Sequence, residues 1–144
     1  MATLLVDQQR AGAQVLKGHE ACSENAIGML TRHCLPDGLL PLEDIEEVGF
    51  VESTGYFWVK QKKNSSDHLF KAIKTKTSYG KEVSGFIEKQ RLKKLSGVKA
   101  KELLLWVSIV EIFMDDAHPG QIYFKSAAGL GRWHPASAFS LQQQ

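Results

Sequence analysis

The spacing of apolar residues changes once along the chain, between residues 33 and 48. Before this point they recur every three or four residues, as on one face of a helix. The residues of this face are Cys22, Ala26, Met29, Leu30 and His33. Pro36 ends the pattern, because proline cannot donate the intrahelical hydrogen bond and disfavours the α conformation in the residue before it. The pattern predicts an N-terminal helical segment over residues 1–34, which Gly18 divides into two helices.

After Val48, short segments rich in β-branched and aromatic residues alternate with turn residues, as in an antiparallel sheet. Six segments have this character: VGFVES, YFWVKQKK, HLFKAIK, KEVSGFIEKQR, ELLLWVSIVEIFM and QIYFKS. The first two flank Ser53-Thr54-Gly55, which is short enough to form a hairpin turn. Residues 64–67 are polar and are expected to form a loop. The pattern therefore predicts about six or more strands.

The segment from Leu103 to Met114 decides how the sheet is covered. Its β-branched and aromatic content favours a strand, and alternation then makes both of its faces apolar. Such a strand is covered on both sides. We therefore expect an α+β, mainly β fold, in which an antiparallel, barrel-like curved sheet has its own interior on one side and the N-terminal helix on the other.

The segment CLPDGLLPLEDIEEVGF links the predicted helix to the first predicted strand. Asp37 and Gly38 are turn residues, and Pro41 favours an extended backbone. Leu39, Leu40 and Leu42 are expected to pack into the core. We interpret this segment as a structural connection. One structural domain is expected, with a helical segment over residues 1–34, a β-rich part over 35–140 and a tail over 141–144.

Composition and charge limit the possible functions. The first ten residues lack the apolar run of a secretory signal, and no apolar run reaches the roughly 20 residues of a membrane-spanning helix. Cys22 and Cys34 lie too far apart on one helix for a disulfide. We therefore expect no transmembrane segment and a cytoplasmic location, with peripheral contact to a membrane left open.

The net charge of +2 is unevenly distributed along the chain. Residues 7–52 contain nine acids and three bases, whereas residues 56–101 contain thirteen bases and three acids, which gives 13 − 3 = +10. A basic segment with aromatic residues, such as YFWVKQKK, would suit a single-stranded nucleic acid. Because the acidic segment can neutralise the basic one in the fold, nucleic acid is not the expected partner.

The sequence contains residue types suited to two kinds of reactive site, a zinc site and a hydrolytic site. His19, Cys22, His33 and Cys34 are zinc-ligand types, but a continuous helix separates the two pairs and points them in different directions, so no metal is expected. Ser84 and Ser96 each precede a glycine, and Asp115, Asp116, His118 and His134 are possible partners. No G-x-S-x-G turn is present, so we assign no catalytic residue and expect no cofactor.

Several segments in order carry a family resemblance, from about Leu35 to Phe139. They are LPDGLLPLEDIEEVGF, STGYFWVK, VSGFIEKQRLKKLSGVKAKELLLWVSIVEI, IYF and HPASAF. Together they resemble the plant family known as domain of unknown function 538. The resemblance implies a small barrel-like domain with an N-terminal helix. Likeness to lipid-binding bactericidal permeability-increasing proteins and a chlorophyll ester hydrolase activity have been suggested in that family. Many members look secreted, so the lack of a signal sequence indicates a cytosolic-type member.

The expected function is non-enzymatic binding of a lipid or another apolar or amphiphilic ligand inside the β-rich domain. Four apolar residues are predicted to line the site: Trp58, Phe86, Trp106 and Val107. Six basic residues are predicted to surround it and to meet an anionic head group: Lys60, Lys62, Lys63, Arg91, Lys93 and Lys94. Two alternatives stay open. One is a protein-interaction module of stress or developmental signalling, and the other is a carboxylic ester hydrolase that acts on a chlorophyll-like substrate.

Overall fold

The computed structural model describes residues 8–143 and contains one long helix and eight strands. The helix α1 covers His19–Arg32. The strands are β1 Gln14–Lys17, β2 Ile45–Val51, β3 Tyr56–Phe70, β4 Thr75–Glu88, β5 Arg91–Glu102, β6 Leu105–Phe113, β7 Gln121–Ser126 and β8 Gly131–Pro135. Short 3-10 helices cover Lys71–Ile73, Ala136–Phe139 and Leu141–Gln143. The predicted mainly β fold with an N-terminal helix is confirmed.

All eight strands form one antiparallel sheet, and each strand pairs with its neighbours in the chain. In the described residues β1 and β8 are not paired with each other, so the sheet is open and the expected barrel is not closed. Both edge strands are short, with four and five residues. Register shifts interrupt five of the strand pairs, from β2–β3 to β6–β7. Such bulges bend strands, and they give the sheet a concave side without closure.

The concave side carries the main core. Alternate residues of the central strands point into it, for example Phe57 and Val59 of β3 and Ile109 of β6. The buried face of α1 belongs to the same core through Cys22, Met29 and Leu30. The helix therefore packs on the side that holds the sheet interior, whereas we expected it on the opposite side. The opposite, outer face carries a separate small cluster around Trp58.

The N-terminal segment agrees in part with the prediction of two helices over residues 1–34, since residues 8–10 are helical and α1 follows Gly18. Residues 14–17 form strand β1, which pairs with Glu47 to Phe50 of β2. Gly18 separates this strand from α1 and has a φ of 93°, a conformation that favours glycine. Backbone pairing with an available sheet edge decides the structure of residues 14–17. Residues 1–7 of the predicted segment, and Gln144 of the predicted tail, lie outside the described residues.

Two other predictions about strands were wrong, and two further strands were not predicted. Residues 64–67, predicted as a loop, lie within β3, where Ser65, Ser66 and Asp67 pair with β4. Strands β5 and β8 were not predicted. The strand predicted from residue 103 begins at Leu105, because Leu103 and Leu104 form the turn between β5 and β6.

The connection between α1 and β2 is buried as predicted. Leu35, Leu39, Leu40 and Leu42 all belong to the main core. The Tyr79 hydroxyl of β4 donates a hydrogen bond to the Leu39 carbonyl oxygen over 3.2 Å. The C-terminal segment also meets this connection, since the Gly38 N–H donates to the Phe139 carbonyl oxygen over 2.9 Å. The connection and the C-terminal segment together cover part of the concave side.

In residues 8–143, none of the helices has the length and apolar composition needed to cross a lipid bilayer.

Candidate ligand-binding cavity

A cavity of about 430 Å³ lies on the concave side, toward the turns that follow β3, β5 and β7. Alternate residues of β4 to β7 contribute to its wall, as expected for one face of a sheet. Its lining residues are Ile73, Thr75, Thr77, Ala100, Glu102, Val107, Ile109, Phe124, Ser126, Ala128, Leu130, Gly131, Arg132, His134 and Phe139. Most of this surface is apolar, so the cavity suits an apolar molecule or the apolar part of an amphiphile.

Aromatic rings form the deep side of the cavity. The ring of Phe139, from the C-terminal 3-10 helix, stacks on Phe124 of β7 with 4.9 Å between centroids. It also lies 4.6 Å from the ring of Phe70 at the end of β3. Phe139 is 1% exposed, so its position is fixed by packing. Small residues, including Ala100 of β5, leave the space beside these rings open.

His134 is one of the polar residues that line this mostly apolar cavity. Its ring packs edge-on against Phe124 and Phe139, at centroid distances of 5.6 and 5.9 Å. Burial, with the nearby Arg132 as a smaller cause, lowers the pKa of His134 below its usual value. The imidazole is therefore neutral at pH 7 and offers one donor and one acceptor. Within residues 8–143 neither ring nitrogen has a protein hydrogen-bond partner, so both can serve a bound molecule.

Arg132 and Glu102 form an ion pair at the cavity mouth, with 2.9 Å between Nη2 and Oε2. Arg132 belongs to β8 and Glu102 to β5, so the ion pair spans the concave side between strands that are not neighbours in the sheet. The Arg132 side chain is 63% exposed, which keeps the guanidinium in solvent. The mouth is thus polar and charged, while the interior is apolar.

Trp58 and Phe86, predicted to line a ligand site, lie in the small cluster on the outer face. Tyr56 packs between them, with its ring 6.1 Å from Trp58 and 5.2 Å from Phe86. Trp58 is 3% exposed, because the Arg10 guanidinium lies 4.3 Å above its ring. Its indole N–H donates to Glu47 over 2.7 Å. The surroundings of Trp58 are therefore filled by the protein itself.

Of the four apolar residues predicted to line a ligand site, Val107 belongs to the wall of this cavity. Trp106, its neighbour in β6, points to the other face of the sheet because side chains alternate along a strand. The Trp106 ring is partly exposed and lies 5.7 Å from the Lys101 ammonium group. The structure therefore does not bring the four predicted lining residues together.

The six predicted basic residues do not surround this cavity, since none of them belongs to its lining. Three of them form ion pairs with acids: Lys63 with Glu43, Lys93 with Glu88, and Arg91 with Glu111. The Lys94 ammonium lies 5.7 Å from the Phe86 ring, on the outer face. Lys60 is partly buried and Lys62 is exposed, both on β3. Acidic neighbours therefore neutralise part of the positive charge of these residues.

A second concave region of about 500 Å³ lies between α1, the α1–β2 connection and His68 of β3. Its wall includes Asp37, Glu43 and Asp44, so it is more polar than the first cavity. His19 at its edge already accepts a hydrogen bond from the Ile45 N–H over 3.1 Å. This region is a less suitable site for an apolar ligand.

In the part of the chain that the structure describes, the two serines that could act as nucleophiles in ester hydrolysis are not hydrogen-bonded to the histidines that could act as bases. Ser84 and Ser96 are cross-strand partners on β4 and β5, and neither lines the first cavity. His118 is hydrogen-bonded to Asp115 over 2.9 Å and stacks on Trp133, at 3.9 Å between centroids. In the described residues no hydrogen bond joins Ser84 or Ser96 to a histidine. Ester hydrolysis stays a prediction without geometric support.

The residues considered for zinc have separate partners. The His33 ring nitrogen Nδ1 lies 2.7 Å from the Met29 carbonyl oxygen, and the Cys22 thiol donates to the Leu16 carbonyl oxygen over 3.3 Å. Burial raises the pKa of the Cys22 thiol. Cys34 is exposed, and both cysteines are free. Residues 8–143 contain no group of three or more histidine, cysteine and acidic side chains placed to hold a metal ion.

Sequence reasoning missed His134, Arg132 and Phe139 as candidate ligand contacts. His134 and Phe139 both belong to HPASAF, one of the segments that carries the family resemblance. A histidine within an otherwise apolar and aromatic segment was the available signal. This signal could not identify the site by itself, because residues of β4 and β5 form the opposite wall of the cavity.

The fold and cavity together define a class of protein: an open antiparallel meander whose concave face is partly covered by a helix and holds an apolar cavity. The chain belongs to the family described as "Protein of unknown function, DUF538", whose model matches residues 26–140. No curated protein matches the chain significantly. No solved structure does so either.

Proposed function

We propose that this protein binds one apolar or amphiphilic small molecule, such as a lipid, without changing it chemically. The observation that carries the proposal is the apolar cavity on the concave side of the sheet. Its volume of about 430 Å³ lies within the roughly 300–1,000 Å³ that small-molecule sites occupy. A few polar groups in an apolar cavity are typical of sites that orient a ligand.

The distribution of polar groups favours one orientation of the ligand. The apolar part would contact Val107, Ile109 and Phe124, while an ester, hydroxyl or carboxyl group would reach a nitrogen of His134. An anionic head group would meet Arg132 at the mouth. Of the residues expected from sequence, Val107 keeps its proposed role. A cytoplasmic setting in a plant cell is part of the proposal and follows from the sequence expectations alone.

The cavity can be tested by filling it. Ala100 is 5% exposed and lines the cavity from β5. In Ala100→Phe the phenyl ring would occupy space that the ligand needs. We expect the affinity for cis-parinaric acid, a fatty acid whose fluorescence rises in apolar surroundings, to fall at least about tenfold, which corresponds to about 1.4 kcal/mol. Fluorescence titration measures the change, and circular dichroism verifies that the variant is folded.

The control is Ala21→Phe, which makes the same chemical change at an exposed position of α1 outside the cavity. This variant should bind the probe as the unmodified protein does. Equal probe binding by folded Ala100→Phe and Ala21→Phe would contradict the proposed site. Native mass spectrometry of gently purified protein adds a second readout, because a co-purified apolar molecule should be present and should be missing from Ala100→Phe.

A further inference from the structure

Three hairpin turns meet at one end of the sheet, beside the cavity mouth. With the strand residues that flank them they cover residues 69–75, 102–106 and 126–131, and we call this region the leucine end. Among residues 8–143, nine large apolar side chains are exposed, and six of them lie here. These six are Leu69, Leu103, Leu104, Leu105, Trp106 and Leu130. This concentration is unusual, because exposed apolar residues are normally scattered over a surface.

The turn between β5 and β6 projects furthest into solvent. Leu103 and Leu104 are each 90% exposed, so their side chains contact almost nothing in their own chain. Leu103 has a φ of 57°, a conformation in which glycine or asparagine is normally found in two-residue turns. The conformation of the β5–β6 turn does not require leucine at these two positions, and neither side chain packs in the core. Such departures from local rules tend to occur at functional sites.

Lysines surround this apolar surface. Lys71 and Lys74 lie in the β3–β4 turn, and Lys99 and Lys101 lie on the last residues of β5. All four are exposed, and within the described chain none forms an ion pair with an acid. The two acids nearest these turns are already paired, Asp67 with Lys76 and Glu102 with Arg132. The leucine end is therefore apolar at its tip and positively charged around it.

We propose that the leucine end docks on the surface of an anionic lipid bilayer. Exposed leucines can enter the region between head groups and acyl chains, while the lysines contact anionic head groups. Trp106, with Lys101 beside its ring, is a residue type enriched at that depth. A projecting tip suits a bilayer better than a protein surface, since a bilayer offers apolar contact without a matching groove. Docking would place the cavity mouth at the membrane.

The test is flotation of the full chain with vesicles of phosphatidylcholine, prepared with and without phosphatidylserine. We expect binding to the phosphatidylserine vesicles, and weaker binding when salt is raised, because ions screen the lysines. In the double variant Leu103→Ser, Leu104→Ser, the partition coefficient should fall at least about tenfold, because two apolar side chains no longer enter the bilayer. Both leucines are exposed, so this variant should still fold.

The matched control is the double variant Val15→Ser, Leu16→Ser, which removes exposed apolar residues from edge strand β1. It should bind vesicles as the unmodified protein does. For charge, Lys71→Glu with Lys101→Glu should abolish the preference for phosphatidylserine. The same reversal of the exposed Lys89 and Lys94, away from the leucine end, should leave the preference in place.

Three results would overturn the proposal. The first is absence of vesicle binding at low salt, and the second is equal binding by the leucine variant and its control. The third is a dimer in size-exclusion chromatography that the leucine variant disrupts while vesicle binding is absent, which would assign the leucine end to a second copy of the chain. The inference goes beyond ligand binding and is separable from it, because Ala100→Phe should still float with anionic vesicles.

Discussion

Replacing Leu39 with aspartate is expected to remove most of the stability of this protein. Leu39 is 2% exposed and lies in the main core, within the connection between α1 and β2. Losing a buried leucine side chain costs roughly 2–5 kcal/mol, and an unpaired buried carboxylate adds a further cost. The sum is a large part of the roughly 5–15 kcal/mol by which a domain is stable. Urea unfolding followed by near-ultraviolet circular dichroism measures the loss.

Leu39→Met is the matched control, because it nearly conserves side-chain volume and should cost less than about 1.5 kcal/mol. Leu39→Asp also carries information about function. If this variant kept a cooperative unfolding transition close to that of the unmodified protein and lost only the binding of cis-parinaric acid, the connection would be part of a binding site. Its burial beside the Tyr79 hydroxyl predicts the opposite, since loss of packing there disturbs helix, connection and β4 together.

Replacing Gly97 with alanine is also expected to destabilise the protein strongly. Gly97 lies in β5 with a φ of 90°, and a Cβ built on it would clash with the Glu82 carbonyl oxygen of β4. The unfavourable backbone conformation costs roughly 1–2 kcal/mol, and the clash adds roughly 1–3 kcal/mol because two hydrogen-bonded strands would have to separate. Thermal unfolding should show a clearly lower midpoint temperature.

Gly120→Ala separates the two contributions. Gly120 has a φ of 74°, but a Cβ there would meet no heavy atom within 4 Å. It should therefore show the conformational cost without the clash, and the difference between the two variants measures the close approach of β4 and β5. Equal destabilisation of both variants would indicate that the strands can move apart at Gly97 without cost.

The sequence predicted those parts of the fold in which a local signal and the final packing agree. Pro36 and the leucines after it predicted both the end of the helix and the buried connection. Strand β5 was missed because its buried residues do not alternate regularly. Leu92, Leu95 and Val98 are three residues apart, since register shifts and Gly97 interrupt the strand. Lys93 and Lys94 separate the first two of these residues, and Ser96 and Gly97 separate the last two, so the segment reads as polar.

Pairing and packing between residues distant in sequence explain the other differences between the predicted and the observed structure. Residues 64–67 have turn composition, yet three of them pair with β4, because β3 and β4 continue as a long ribbon. For the candidate site, the sequence predicted an apolar interior but not most of the residues that line it. Apolar residues at alternating positions indicated a concave interior, and Val107, one of the residues predicted to line a ligand site, lies on that interior. The sequence could not specify that Trp58 is covered by Arg10, or that His134 faces the rings of Phe124 and Phe139.

The strictly sequential order of the sheet has a consequence for how the chain folds. Each strand finds its partner immediately before or after it, so most backbone pairing requires closure of only a short loop. Such a chain can begin at any hairpin and add strands one at a time. The contact between Phe70 and Phe139 is different, because it joins residues far apart in sequence. We therefore expect this sheet to form faster than a sandwich of the same size with crossing connections, and the walls of the cavity to come together last.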